Sequence, residues 1–233
     1  MAIVPYLAIT AAEMQASEPL SSPIAWMACH FSPYGTALSN LPKSLPKGSL
    51  LILNDRTPVF GHDPERIACQ LADAVESLEC DGILLDLQRP GEEQARAIAA
   101  AVAALSCPVA VTPEYADGLP CSVFLPAPPL NVPLGTYLER WRGREIWLEI
   151  AVEEAIFRVD GQGCKRIAGA PLPCPHRDDQ LYCCYGMEVQ ENHIDFYLRR
   201  DAEHLQAMME AAAGLGVQRF VGLYQQLSGR LET

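Results

Sequence analysis

Apolar residues follow two alternating patterns along this chain. Short continuous apolar runs, typical of strands buried on both faces of a parallel sheet, alternate with segments whose apolar residues recur every three or four positions, as in helices. The runs predict eight strands, at 2–10, 23–31, 49–54, 80–90, 108–112, 122–126, 145–151 and 219–224. Segment 32–48, with three prolines and two glycines, predicts an irregular loop between the second and third strands.

Helical spacing separates most of the predicted strands. Asp63 is placed to cap a helix that has Pro64 at its first position, and Ile67 and Leu71 begin its apolar face. Similar periodicity predicts helices at 92–105 and 131–142, and a last helix that starts after Asp201. Regular alternation of strands and helices is typical of a parallel α/β fold.

This alternation is interrupted once, after the seventh strand. Segment 155–166 predicts a hairpin that turns at 160–163, and segment 182–198 predicts a second that turns near 191–192. A proline-rich link at 170–175 joins them. The prediction is therefore an α/β protein: a single (β/α)8 TIM barrel over residues 1–233, with a small β insertion at 152–200, between the seventh strand and the last helix.

Composition narrows the classes of partner. The chain has 233 residues, of which 49% are hydrophobic, enough for one large core. Its net charge is −12 with dispersed Lys and Arg, which argues against nucleic acid or a membrane as partner. The apolar start lacks the basic residues of a secretory signal, and nine cysteines without framework spacing fit a reducing cytoplasm. We therefore expect a cytoplasmic location, and the oligomeric state stays open.

The stretch 80–90 combines a buried strand with polar residues at its carboxyl end. In a strand, alternate side chains share one face, so Asp86 and Gln88 should point the same way as Leu84. The stretch resembles the signature strand of the family 18 glycoside hydrolases, the chitinases and endo-N-acetylglucosaminidases, whose pattern is D-G-x-D-x-D-x-E. Asp81, Gly82 and Asp86 match that pattern. Leu84 replaces the second Asp, and Gln88 replaces the Glu.

The resemblance implies specific roles for these positions. In the family, the Glu gives a proton to the glycosidic oxygen, while the neighbouring Asp orients the acetamido group that attacks the anomeric carbon. Asp86 fits the orienting role, whereas Gln88 has no proton to transfer. Leu84 removes a charge that would tune the pair, and the S-x-G-G of the family's third strand is absent. The resemblance therefore implies a barrel that is degenerate as a chitinase and that needs no cofactor.

Further candidates lie at the carboxyl ends of other predicted strands, where barrels of this class carry their reactive groups. Glu114 and Glu149 are carboxylates that could each form a new pair with Asp86. The predicted ligand-binding residues are His30, Asp55, Tyr224 and Gln225. Tyr224, or Gln225 if the register slips by one residue, would occupy the place of the family's aromatic floor residue.

A metal site is not expected. Cysteine and histidine residues gather in the insertion, at Cys164, Cys174, His176, Cys183 and Cys184. None has paired C-x-x-C spacing, and the vicinal Cys183 and Cys184 should point to opposite faces of a strand. Buried thiols are the simpler interpretation.

Three functional hypotheses follow from the sequence. The first is a pseudoenzyme that binds a carbohydrate or similar polar ligand without chitinase turnover. The second is a glycoside hydrolase with a relocated carboxylate pair, Asp86 with Glu114 or Glu149. The third is a structural or interaction protein.

Overall fold

The computed structural model describes residues 3–16, 23–33, 38–59, 61–89 and 91–228, except for the side chain of Ala16. Parts of three predicted segments lie outside the described residues: residue 2 of the first strand, residues 34–37 of the irregular loop, and residue 90 of the fourth strand. No helix within the described ranges is long and apolar enough to span a membrane.

Fourteen strands and seven helices are present in the described part of the chain. In chain order they are β1 (Tyr6–Ile9), α1 (Ala11–Ala16), β2 (Ile24–Phe31), β3 (Leu38–Ser39), β4 (Leu50–Asn54), α2 (Pro64–Ser77), β5 (Gly82–Asp86), α3 (Glu93–Ala103), β6 (Val109–Val111), α4 (Pro113–Ala116), β7 (Ser122–Leu125), α5 (Leu134–Glu139), β8 (Ile146–Ile150), β9 (Glu153–Asp160), β10 (Gly163–Ile167), β11 (His176–Asp178), β12 (Cys183–Val189), β13 (His193–Arg200), α6 (Ala202–Gly214), β14 (Val217–Leu223) and α7 (Tyr224–Leu227).

Eight of these strands form a closed parallel barrel. The strand order is β1, β2, β4, β5, β6, β7, β8 and β14, and β14 pairs with β1 to close the ring. The short β3 adds to β2 as an antiparallel neighbour outside the ring. The predicted (β/α)8 TIM barrel is confirmed, and each of its eight strands overlaps a predicted one.

Helix boundaries follow the capping residues. The Asp63 side chain accepts a hydrogen bond from Glu65 N at the start of α2, and the Asp201 side chain accepts one from His204 N at the start of α6. Two predicted boundaries were wrong. The helix predicted at 131–142 is shorter, because Pro133 stands at its N-cap and the chain turns again after Glu139. The last barrel strand ends at Leu223, so Tyr224 begins a helix.

The alternating faces of β5 divide the core into two layers. Ile83, Leu85 and Leu87 pack outwards among the helices, whereas Leu84 packs into the barrel interior. That interior is lined by Ala8, Ala25, Leu50, Ile52, Leu84, Ala110, Phe124, Trp147 and Val221. A Cβ at Gly82 would lie 2.6 Å from the Pro108 carbonyl oxygen and 3.2 Å from the Trp147 ring. Glycine is therefore required where β5 enters the barrel.

The insertion is one antiparallel sheet, in the order β10, β9, β13, β12, β11. Both predicted hairpins are present, as the pairs β9–β10 and β12–β13. One face of this sheet packs Ala155, Cys183 and Leu198 against Leu130 of the barrel. The Arg200 side chain, 1% exposed, donates from Nη1 to the Pro128 carbonyl at 2.7 Å and so ties β13 to the loop after β7.

Candidate functional site

A cavity of about 590 Å³ opens at the carboxyl ends of the barrel strands. Its apolar walls include Ala8, Ile52, Leu84, Phe124 and Val221, which continue the barrel interior upwards. Its polar lining consists of Thr10, His30, Asn40, Asn54, Asp55, Arg56, Asp86, Gln88 and Glu149. A cavity with apolar walls and a few convergent polar groups, at this face of a barrel, is the usual place for a ligand.

Asp86 and Gln88 form the central polar contact of this cavity. Gln88 Nε2 donates hydrogen bonds to both carboxylate oxygens of Asp86, at 3.1 Å to Oδ1 and 3.3 Å to Oδ2. The two side chains thus share the inward-facing side of β5, as the strand alternation predicts. The contact ties the amide nitrogen to Asp86 and leaves the amide oxygen as an acceptor.

Asp55 holds the backbone that carries Gln88. It is 5% exposed, and its Oδ2 accepts from the backbone nitrogens of Gln88 at 2.9 Å and Arg89 at 2.7 Å. In return, Arg89 Nε donates to the Asp55 carbonyl at 3.0 Å. The carboxylate therefore joins the end of β4 to the loop that follows β5, and its hydrogen bonds hold the backbone of that loop.

Glu149 at the end of β8 is the second carboxylate that approaches Asp86. Burial raises the pKa of Glu149; a hydrogen bond from Ala127 N opposes the rise, and the charge of Asp86 adds to it. Burial also raises the pKa of Asp86, which the Gln88 hydrogen bonds oppose and the Asp55 charge increases. Of the described polar groups that line the cavity, only the exposed Arg56 carries a fixed positive charge.

The β2 side of the cavity is shaped by an amide that the sequence predictions missed. Asn54 Nδ2 donates to the carbonyls of Met27 and Cys29, both at 3.0 Å, where the register between β2 and β4 shifts. His30 Nδ1 lies 3.0 Å from the Ala28 carbonyl, which can only accept, so Nδ1 carries the hydrogen of this bond. Asn54 immediately precedes Asp55 at the predicted strand end, which is the signal that could have identified it.

Three predicted site residues are not among the residues that line this cavity. Glu114 is exposed on α4, because the chain turns into that helix at Pro113, directly after β6. Tyr224 lies on α7 and packs against the outer core. Gln225 is exposed and hydrogen-bonds to the Glu13 carboxylate. The structure thus brings together His30, Asp55, Asp86, Gln88 and Glu149.

Asp81, the first residue of the matched pattern, lies at the opposite end of β5. Its Oδ2 is 3.1 Å from Arg219 Nη2 and accepts a hydrogen bond from the Tyr6 hydroxyl at 3.2 Å. The Arg219 guanidinium also stacks over the Trp147 ring, 4.6 Å from its centroid. These contacts lie at the amino-terminal end of the barrel. Barrels of this class carry their reactive groups at the opposite, carboxyl-terminal end.

Across the described ranges, no group of three or more His, Cys, Asp or Glu side chains is arranged to hold a metal ion.

Comparison with known proteins supports the fold. No protein-family model matches the chain, and no curated protein matches it by sequence. The spore cortex-lytic enzyme SleL of Bacillus cereus is similar in structure, with a TM-score of 0.52 at 11% identity over 85% of this chain and 63% of that chain. The C-terminal domain of a protein provisionally named a chitinase, from Desulfitobacterium hafniense DCB-2, is also similar. Its TM-score is 0.52 at 11% identity, over 96% of this chain and 94% of that chain.

A third similar structure is a protein provisionally named the sporulation-specific glycosylase ydhD of Bacillus subtilis, with a TM-score of 0.51 at 10% identity over 87% of this chain and 91% of that chain. At such identities the likeness establishes the fold alone, a barrel shared with chitinase-like glycoside hydrolases. The chain spans 55% and 63% of the lengths of the SleL enzymes of Bacillus megaterium and Bacillus cereus.

Proposed function

We propose that the cavity binds a carbohydrate or a similar polar ligand and that the protein has no chitinase turnover. The observation that carries this proposal is the hydrogen-bonded pair of Gln88 and Asp86. It occupies the position where the family that the sequence resembles has its proton-donating Glu and orienting Asp. An amide keeps the shape of the acid but has no proton to give to a leaving oxygen.

The surroundings of the pair support the same proposal. Leu84 is 1% exposed beneath Asp86, so an apolar side chain fills the place where the family carries a second carboxylate. The cavity walls combine apolar surface with amide, carboxylate and imidazole groups. Sugar rings present both C–H faces and hydroxyl groups, and such a lining can contact both.

The test is a binding measurement combined with product analysis. Isothermal titration calorimetry with the N-acetylglucosamine tetramer should detect binding, and mass spectrometry after prolonged incubation should detect no shortened oligomer. Asp86→Ala should weaken binding by about 10- to 100-fold, because hydrogen bonds to a charged group contribute about 1.5–3 kcal/mol. The matched control is Asp81→Ala, at the other end of the same strand, which should leave the affinity unchanged.

Gln88→Glu tests whether the missing acid alone explains the absence of turnover. Positioned acid catalysis contributes about 10² to 10⁴ in rate. We expect at most a trace of cleavage in this variant, because Leu84 cannot replace the second Asp and the S-x-G-G of the third strand is absent. Full chitinase activity in Gln88→Glu would show that one amide accounts for the degeneracy.

A second candidate function is hydrolysis by Asp86 and Glu149 as a relocated pair. Both carboxyls line one cavity, and burial, together with the charge of Asp86, raises the pKa of Glu149, as would suit a proton donor next to an ionised partner. Release of reducing ends by the native chain, lost in both Glu149→Gln and Asp86→Asn, would establish this candidate in place of the first. If the chain showed neither binding nor cleavage, a structural or interaction role would remain.

A further inference from the structure

A proline-rich segment lies across the outer face of the insertion sheet. We call residues 168–175, which join β10 to β11, the strap. Ile156 on β9, Tyr197 on β13 and Gly186 on β12 are directly paired neighbours, so they form one row across three strands on the same face. That face is opposite to the one that packs Ala155, Cys183 and Leu198 against the barrel.

Two glycines show how closely the strap follows this row. A Cβ on Gly169 would lie 2.8 Å from Ile156 Cδ1, at the β9 end of the row. A Cβ on Gly186 would overlap the Pro173 carbonyl oxygen, so this position on β12 has room only for glycine. The next strap residue, Cys174, faces inwards, and its Sγ lies 4.0 Å from the Tyr197 carbonyl oxygen.

Cys174 meets a second thiol beneath the strap. Cys184 is one strand repeat from Gly186, on the same face of β12, and its thiol is near enough to that of Cys174 for the two to interact. Cys184 is 8% exposed, whereas Cys174 is only partly covered. The adjacent Cys183 points through the sheet into the opposite core. The fold therefore selects one of two vicinal cysteines as the partner of Cys174.

We propose that Cys174 and Cys184 are a site of reversible disulfide formation that fastens the strap to the sheet. With a peroxide as oxidant, the Cys174 sulfur attacks one peroxide oxygen, the O–O bond breaks, and Cys174 sulfenic acid and one water form. The Cys184 sulfur then attacks the sulfenic sulfur, the S–O bond breaks, and a second water leaves. Two thiols and one hydrogen peroxide thus give one disulfide and two waters.

Proximity controls this reaction more than thiol acidity does. Burial raises the pKa of Cys174 to about 11, which keeps the thiolate fraction low, and the nearby Arg199 guanidinium opposes that rise. Oxidation should therefore begin slowly, and the intramolecular step should then be fast because the second thiol is held nearby on the same face of the sheet. Cys69 and Cys164 are exposed and should react first with any added reagent.

The test is a peptide map of the native protein after treatment with hydrogen peroxide. Free thiols are alkylated in denaturant, and the chain is digested with trypsin without reduction. The peptides 167–177 and 178–199 should then appear as one linked species that dithiothreitol separates. Because Cys183 and Cys184 share a tryptic peptide, Cys183→Ser is the matched control and should retain the linked species. Cys184→Ser should reduce it at least about tenfold.

A second readout follows the fastening itself. The bond closes a loop between residues 174 and 184, which should raise the Tm of the oxidised protein by roughly 5 °C, and dithiothreitol should reverse the shift. Two outcomes would overturn the proposal. One is that Cys174 and Cys184 remain reduced after Cys69 is fully oxidised, and the other is that the linked species persists in Cys184→Ser. The native map needs no variant, so a folding defect in either substitution leaves the test intact.

Discussion

The two ends of β5 each present an aspartate, and the surroundings of these carboxylates differ. At the amino end, Asp81 contacts a guanidinium and a tyrosine hydroxyl, and the same guanidinium stacks on Trp147. At the carboxyl end, the Asp86 carboxylate accepts hydrogen bonds from the Gln88 amide, its side-chain partner within the described residues, and faces a cavity. The first charge is compensated within the protein, whereas the second faces the cavity that we propose as a binding site. This contrast separates a stabilising end of the barrel from the end where we propose binding.

Asp55 sharpens this comparison, because it is a carboxylate at the carboxyl end of the barrel whose charge is stabilised by hydrogen bonds from the protein backbone. Asp55→Ala would remove the acceptor of two backbone N–H groups, those of Gln88 and Arg89. We expect the free energy of unfolding to fall by about 3 kcal/mol, the largest change among these predictions. Urea denaturation measures it. Asp55→Asn retains one acceptor oxygen and should lose roughly half as much; a loss below about 0.5 kcal/mol in Asp55→Ala would remove Asp55 from this role.

Arg219 tests the compensated end directly. Its guanidinium lies over Trp147 and pairs with Asp81, and its side chain is 18% exposed. Arg219→Ala should lower the free energy of unfolding by about 2 kcal/mol, from the lost cation–π contact and a small share for the half-exposed ion pair. Urea denaturation at low salt measures the loss, and Arg219→Lys should recover part of it. Ligand affinity should not change, so a parallel loss of binding would contradict the separation of the two ends.

The two aspartates themselves should respond with opposite sign. Asp81→Asn removes a charge that has a cationic partner, and the free energy of unfolding should fall by about 0.5–1 kcal/mol. Asp86→Asn removes a partly buried charge that has no cationic partner among the described residues, and it keeps an oxygen that accepts from Gln88, so stability should be unchanged or slightly higher. Matched denaturation curves of the two variants measure the difference. Equal destabilisation by both would remove the contrast.

The sequence predicted the barrel well because its signals are local. Continuous apolar runs marked the strands, Asp63 marked the start of α2, and the β5 alternation placed Leu84 and Asp86 on one face. The site was harder to predict, because it depends on how each strand ends. Glu114 and Glu149 both follow strands, yet Pro113 turns the chain into α4 and carries Glu114 away from the cavity, whereas Glu149 stays on β8.

Hydrogen bonds between side chains and the backbone could not be predicted from the sequence, for the same reason. Asp55 was predicted as a ligand-binding residue and lines the cavity, but the prediction did not include the hydrogen bonds that its carboxylate accepts from two backbone nitrogens of another loop. Asn54 supports a register shift in β2 that no periodicity reveals. Tyr224 follows β14 directly in sequence, but helix α7 begins there and turns it away from the cavity lining. Such contacts require the three-dimensional arrangement of separate loops.

The smallest effect we predict is the dependence of stability on pH that the two buried cavity carboxyls, Asp86 and Glu149, contribute. Burial raises the pKa of both Asp86 and Glu149, so between the unfolded and folded values the native state binds more protons than the unfolded chain. The contribution of these two carboxyls to the stability of the native protein should therefore fall as the pH rises through that window, which begins near pH 4, and the full loss should be present above the folded values. The double variant Asp86→Asn, Glu149→Gln lacks both groups and should not share this loss. The difference in unfolding free energy between variant and native protein should thus grow in favour of the variant from pH 4 upwards and be absent below it.

Urea denaturation across this range measures the difference, and the matched pair Asp81→Asn, Glu139→Gln, which lies outside the cavity, is the control. A difference that shrinks with rising pH would mean that the cavity compensates its carboxylates after all.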